Sequence, residues 1–378
     1  MPRRRRSACA ARRCRTLGEP GSPATDQVDA GSAGGGMTDP GYPPLPSVAV
    51  LEVSGAVLSW IVDEEPSTAP EISFTDPLRA DWLWRVVGEQ AHVAVVEGRT
   101  ADLQVLPGST DALRRLALGH WLRRWWPASI REGIAELDPA LLDAEIALST
   151  VAAEEFFTDD TLDSDVAGLL APHTARLDAL AAEGDPRVTA LIDRCRDLAA
   201  EIGVDWTATV PVGPVRRADY ALAAGSRTSR QDAIAGGVAT VRWSAVPPGI
   251  FDAAEDTVEW SVRSDGGAVD VVVQVALSGP GHADGIPVTV RCGDHGGAGV
   301  LAADGRAEIP MVTGGRPTTE TEAWNQDWST AVVHVGATAG PDEDARTRAR
   351  VRAFARARLA APTADAYLAE ILAAESDY

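Results

Sequence analysis

The sequence predicts an α+β protein of several units: a small N-terminal mixed α/β unit, a central helical region, and a C-terminal antiparallel β-sandwich closed by two helices. Three observations predict it. The chain has 378 residues, more than one domain of ordinary size needs. In its middle part the apolar residues recur at helical spacing behind Asp-Pro start signals. Beyond Ala235, short valine-rich runs alternate with turn clusters rich in glycine and proline. An apolar share of 45% and a charged share of 24% fit a chain that buries a sizeable core.

Residues 1–46 read as an arm and a Pro-rich lead. Within 1–36, seven arginines face three acids, a balance of +4 that leaves −25 on the rest of a chain whose net charge is −21. Such a short Arg/Gly/Pro stretch cannot bury a core, and no apolar run follows its arginines as a secretory or twin-arginine signal would require. The expectation is that translation begins at Met37. Residues 47–127 form the mixed unit. Val48–Val53 and Ala56–Val62 read as two β runs broken at Ser54-Gly55. Thr75-Asp76-Pro77 starts a helix that runs to about Val87. His92–Val96 reads as a buried strand, and Ser109-Thr110-Asp111 caps a helix carrying Leu118, Trp121, Leu122 and Trp125.

Residues 128–230 are read as helical. Asp138-Pro139 and Asp185-Pro186 give the cap-then-proline signal twice, and Gly203 ends the second helix. Residues 231–340 are read as the sandwich, with strands at Val238–Trp243, Thr257–Arg263, Val269–Leu277, Val288–Cys292 and Ala331–Val335. Glycine-rich Gly293–Gly299 lies between strands rather than before a helix, a poor phosphate cradle. The stretch Val288–Pro310, with Asp304-Gly305 at its second turn, resembles the strand–turn–strand element of carboxypeptidase-regulatory-like β-sandwich domains. The resemblance spans 23 residues; it implies a sandwich and no activity. Residues 341–378 close the chain as two helices, Asp342–Ala360 and Thr363–Ala374. Six arginines from Arg346 to Arg358 spread around the first of these, which suits pairing with carboxylates and not a one-sided phosphate face.

Composition excludes some chemistry outright. All 34 basic residues are arginine, so no lysine is available for a Schiff base or a Walker-type phosphate loop. Two of the four cysteines, Cys9 and Cys14, lie in the arm; Cys195 and Cys292 make no disulfide framework and point to a reducing, cytoplasmic compartment. The most apolar stretch, Ser47 to Val62, is too short and too interrupted to span a membrane. No His-Glu-x-x-His, Cys-x-x-Cys or Gly-x-Ser-x-Gly occurs, and no cofactor or metal is called for.

Three places gather functional residue types. Cys292, Asp294 and His295 crowd thiol, carboxylate and imidazole together, the types a cysteine nucleophile needs, but on one loop where they do not readily converge. Asp159, Asp160, Asp163 and Asp165 form an acidic cluster that lacks two oxygen ligands of a calcium loop. Trp121, Arg123, Arg124, Trp125 and Trp126 offer a binding surface for a protein, or else a core helix whose arginines pair with the acidic body. Trp324 and Trp328 read as packing at a sandwich edge, with a ligand cage as the other reading. The expected function is that of a cytoplasmic adaptor or regulatory protein acting through protein–protein binding. The alternative is a hydrolase-type enzyme assembled from scattered residues, with Cys292 or carboxylates as candidates. A body of −25 opposes nucleic acid, and oligomeric state is left open.

Overall fold

A computed structural model of the chain describes residues 46–99, 104–154, 156–157, 165–206, 233–265, 267–279, 281–337 and 343–376. The arm, with Cys9 and Cys14, lies outside them, as do Asp159, Asp160, Asp163 and Asp342. The protein is α+β, and its buried side chains fall into two clusters.

The first cluster is built on a three-stranded antiparallel sheet, β1 (Val48–Val53), β2 (Ala56–Ile61) and β3 (Glu71–Phe74). Alternation along β1 and β2 turns Ala49, Leu51, Val53, Leu58 and Trp60 inward. The Asp76-Pro77 start makes only a 3-10 turn, Pro77–Arg79, capped by the Asp76 carboxylate on Leu78 N (3.1 Å); the chain then breaks before α1 (Leu83–Val87). His92–Val96 is not a strand: it is the second half of helix α2 (Glu89–Val96), with only Ala94 of the helix buried. A short apolar run has no period of its own, and the helix-forming Glu89, Gln90 and Ala91 before it decide the outcome.

Helix α3 (Asp111–Trp125) lies against β1 and against α4 (Pro139–Glu154). Asp138 accepts from Ala140 N (2.9 Å) at the head of α4, as the Asp-Pro signal predicts. The helices α5 (Val166–Leu170), α6 (Thr174–Ala182) and α7 (Pro186–Ile202) complete this side. Asp185 caps α7, and Gly203 ends it in the left-handed region at φ 75°. At Gly119 of α3, Ile146 of α4 and Tyr367 approach so closely that no side chain fits. A Cβ there would lie 2.3 Å from the Tyr367 hydroxyl and 2.8 Å from Ile146 Cγ1. Gly119→Ala is therefore expected to cost about 1–3 kcal/mol in urea unfolding, the usual penalty of overpacking; a neutral result would mean that Tyr367 moves freely.

The second cluster gathers buried side chains from two antiparallel sheets. One has the order β4 (Ala235–Ala239), β5 (Val258–Ser264), β6 (Val269–Val275) and β9 (Arg306–Pro310). The other runs β11 (Arg316–Pro317), β10 (Val312–Thr313), β8 (His295–Val300), β7 (Pro287–Cys292) and β12 (Val332–Val335). Val258, Val262, Val271, Val273 and Ile309 of the first sheet share the cluster with Val288, Val290, Val333 and Val335 of the second. Glycine-rich 295–300, expected as a loop, is strand β8, because its glycines let the other sheet approach: a Cβ on Gly297 would meet Ile309 Cγ2 at 2.7 Å. Helix α8 (Glu320–Asn325) is opened by a Thr319/Glu322 capping box.

The last two helices, α9 (Ala345–Ala360) and α10 (Leu368–Glu375), pack with the first cluster: Val351, Tyr367, Leu368 and Ala373 belong to it. Their anchors are the α9 arginines, which pair with the chain's own acids. Arg350 holds Asp63 (2.8 Å), Arg348 and Arg352 share Glu255, Arg352 and Arg356 share Glu132, and Arg358 holds Glu370 and Asp365. Glu255 precedes β5, so α9 ties the sheet-bearing part to the helices. A second tie is buried Asp252, which accepts from Ser129 Oγ (2.6 Å) and from the Ile130 and Arg131 amides.

Candidate functional site

The turn between β7 and β8 does bring Cys292 and His295 opposite one another in register, with Gly293 at φ 56°. Each is engaged elsewhere. The buried Cys292 thiol lies 3.2 Å from the Asp327 carbonyl, to which it donates, and accepts from Gln326 Nε2 at 3.3 Å. His295 Nδ1 bonds the Thr313 hydroxyl (2.6 Å), and its ring leans on Trp328 with centroids 5.8 Å apart. Asp294 is exposed at the turn. Thiol, imidazole and carboxylate thus form no relay. Cys292→Ser keeps a donor for the Asp327 carbonyl and is expected to cost no more than about 1.5 kcal/mol, read by thermal unfolding.

Of the two readings of the Trp/Arg helix, the burial of its tryptophans fits the core helix with paired arginines and not the binding surface. Trp121 is 2% and Trp125 5% exposed, because their spacing matches the inward stripe of α3. Trp121 Nε1 donates to the Pro46 carbonyl (2.7 Å) and its ring meets Phe354 edge-on. Half-buried Trp126 donates to the Ala135 carbonyl (2.7 Å). Arg123 pairs with Asp143 (2.8 Å), and Arg124 lies over Trp125 and donates to the Trp243 carbonyl (3.1 Å). Of the acidic cluster, Asp165 is described and caps α5 through Gly168 N (2.7 Å).

A concavity lies at the edge of the sheets. A groove of about 450 Å³ runs between β4 and the α8 segment, lined by Gly236, Gly237 and Val238 on one side and Trp324, Gln326 and Asp327 on the other. Strand β4 ends its sheet: among the described residues it pairs with β5 alone. Gly237 stands opposite Trp260 in that pair, and a Cβ on it would lie 2.6 Å from Trp260 Cζ2. The missing side chain lets the Trp260 indole spread to the edge as part of the lining. On the far wall, buried Trp328 is fixed by its Nε1 bond to the Ala323 carbonyl (2.8 Å). Trp324, 61% exposed, carries its indole into solvent, with Nε1 directed at Glu320 Oε1 (3.4 Å). An open backbone edge beside an exposed indole can pair with an extended chain and stack a side chain from it. Sequence reasoning treated Trp324 and Trp328 alike and began the strand at Val238. Two adjacent glycines at the start of a strand were the available signal of a close approach.

One other constellation was not foreseen. Buried Asp143 on α4 joins His173 Nε2 (3.0 Å) and Arg123 Nε (2.8 Å), and His120 lies near enough that Asp143 and Arg123 both act on it. Among the described residues no group of three or more His, Cys, Asp or Glu side chains is placed to hold a metal ion. Nor is any helix long and apolar enough to cross a membrane. Comparison with protein-family models, curated proteins and solved structures gave no match.

Proposed function

We propose that this chain is an adaptor or regulatory protein that binds another protein, taking an extended segment of its partner along the free edge of β4. The observation that carries this is the groove: an edge strand whose glycines expose backbone, facing an indole that nothing covers among the described residues. Strand addition of this kind draws affinity from main-chain hydrogen bonds and specificity from side-chain pockets. The resemblance of residues 288–310 to carboxypeptidase-regulatory-like sandwiches fits a β-sandwich module that supplies a surface rather than chemistry. The free buried thiols of Cys195, pushed up to about 12 by burial, and Cys292 suit a reducing cytoplasm. Nucleic acid is a poor partner, since the net charge is −21 and five of the α9 arginines are already paired.

A displayed library of random nonapeptides tests this reading. Strand-forming sequences should be enriched on the wild-type protein and bind the Trp324→Ala protein at least about tenfold more weakly, with unchanged melting temperature because the indole is exposed. Enrichment that ignores Trp324 would sink it. The alternative, a hydrolase, has one supporting arrangement in the Asp143–His173 pair beside Arg123, a carboxylate that orients an imidazole. Ester or phosphoester hydrolysis lost in His173→Ala would favour it instead.

A further inference from the structure

Charge is distributed unequally across the groove. The β4 side, with Trp260 behind it, contributes no ionisable group. The opposite side carries Asp327 in the lining and Glu320 beside Trp324, and the turn holding Asp294 abuts Gln326, whose amide is 3.5 Å from where a Gly293 Cβ would lie. Asp327 is held below the usual carboxylate range by its bonds from Ser329, so it is ionised at neutral pH. Among the described residues none of these three carboxylates is in an ion pair. Among the described residues no arginine lines the groove, and Arg316 on β11 is taken by Glu322 (3.0 Å). The exposed Trp324 indole therefore lies among carboxylates that no described residue neutralises, where a cationic side chain laid on the ring would be drawn both by the ring and by the nearby charges.

We propose that the segment taken by the groove is basic: an extended stretch of a partner protein with an arginine or lysine side chain laid on the Trp324 indole, its charge facing Glu320 and Asp327. This rests on the reading of β4 as a docking edge. It also says what the groove refuses, because an acidic or phosphorylated segment would meet Glu320, Asp327 and Asp294 together.

The test uses the full chain and three fluorescein-labelled, end-capped nonapeptides of alternating valine and threonine. They differ only at the central position, which is arginine, glutamine or glutamate. By fluorescence anisotropy, the arginine peptide should bind about tenfold more tightly than the glutamine peptide, with the glutamate peptide weakest. Trp324→Ala removes no charge, so it separates stacking on the indole from general attraction to an acidic protein. In that variant the arginine preference should shrink to within about twofold. Equal binding of the three peptides would overturn the basic preference while leaving the docking edge standing. An arginine preference undiminished in Trp324→Ala would also overturn it, assigning the effect to charge alone. No binding by any of the three up to millimolar concentration would remove the docking edge itself and this inference with it.

Discussion

Glu370→Ala is expected to destabilise the protein by about 3–5 kcal/mol, among the largest effects of any single substitution in it. Glu370 is fully buried, with no exposed area, and its carboxylate makes a bidentate pair with Arg358: Oε1 to Nε at 2.5 Å and Oε2 to Nη2 at 2.8 Å. The same carboxylate accepts from Tyr367 N (2.9 Å), so it also closes the first turn of α10. Burial works against the Arg358 charge, yet Glu370 and Asp365 together leave it raised. Removing Glu370 leaves a buried guanidinium that keeps, among the described residues, Asp365 (3.2 Å), Thr363 (3.2 Å) and the Phe354 ring. The double variant Arg358→Met/Glu370→Leu removes both charges and should recover at least half of the loss, because the cost lies in the stranded charge and not in the absent attraction. Urea unfolding at neutral pH measures both. A loss below about 1 kcal/mol in the single variant would mean that water reaches Arg358 and that α10 is held by its apolar contacts alone.

That network shows what local sequence could and could not convey. The helix starts at Pro139 and Pro186 were legible because an Asp-Pro cap is chemistry between neighbouring residues. The valine strands β5, β6, β7 and β12 were legible because β-branched residues fit a pleated surface wherever it lies. The arginines of α9 announced carboxylate partners through their spread around the helix, but Asp63, Glu132, Glu255 and Glu370 are scattered along the chain and could not be named. Strand β8 was hidden because its glycines answer to Ile309 on the facing sheet, not to their neighbours. The tryptophans of α3 and α8 carry the same residue type and opposite fates. Fifteen residues of α3 between β1 and α4 bury Trp121 and Trp125, whereas the six-residue α8 has one covered side and leaves Trp324 outside. The groove joins residues of β4 to residues of α8 some ninety positions later, and no local pattern contains it.

Stability should also fall by about 3 kcal/mol between pH 4.5 and 8 on account of Glu145 alone. Its carboxyl is pushed up to about 7, first by burial and then by the nearby Glu370 charge. Arg115 and the Leu368 and Ala369 amides only partly offset this. The side chain is 12% exposed; its Oε1 lies 3.1 Å from Arg115 Nη2, and its Oε2 accepts from Leu368 N at 2.5 Å. In the unfolded chain the same group titrates near 4.5. Below pH 4.5 both states hold the proton, and the stabilisation of the neutral form is fully present. Between 4.5 and about 7 the unfolded chain has released the proton while the folded one keeps it, so stability declines as pH rises. Above about 7 the folded protein must carry a buried anion, and the contribution is gone. Glu145→Gln stays neutral throughout and can still accept from Leu368, so subtracting its urea-unfolding free energy from that of the wild type at pH 4.5, 6 and 8 isolates this one group. Carboxylates held low, such as Glu255 at about 2, push the other way with pH but act in both proteins and cancel in the difference. The wild type should lose ground steadily against the variant from pH 4.5 to 8. A difference that stays flat would show that Arg115 and the α10 amides compensate the burial of Glu145 completely. The C-terminal helix would then be docked through a permanently charged pair rather than a carboxyl that gives up its proton near neutrality.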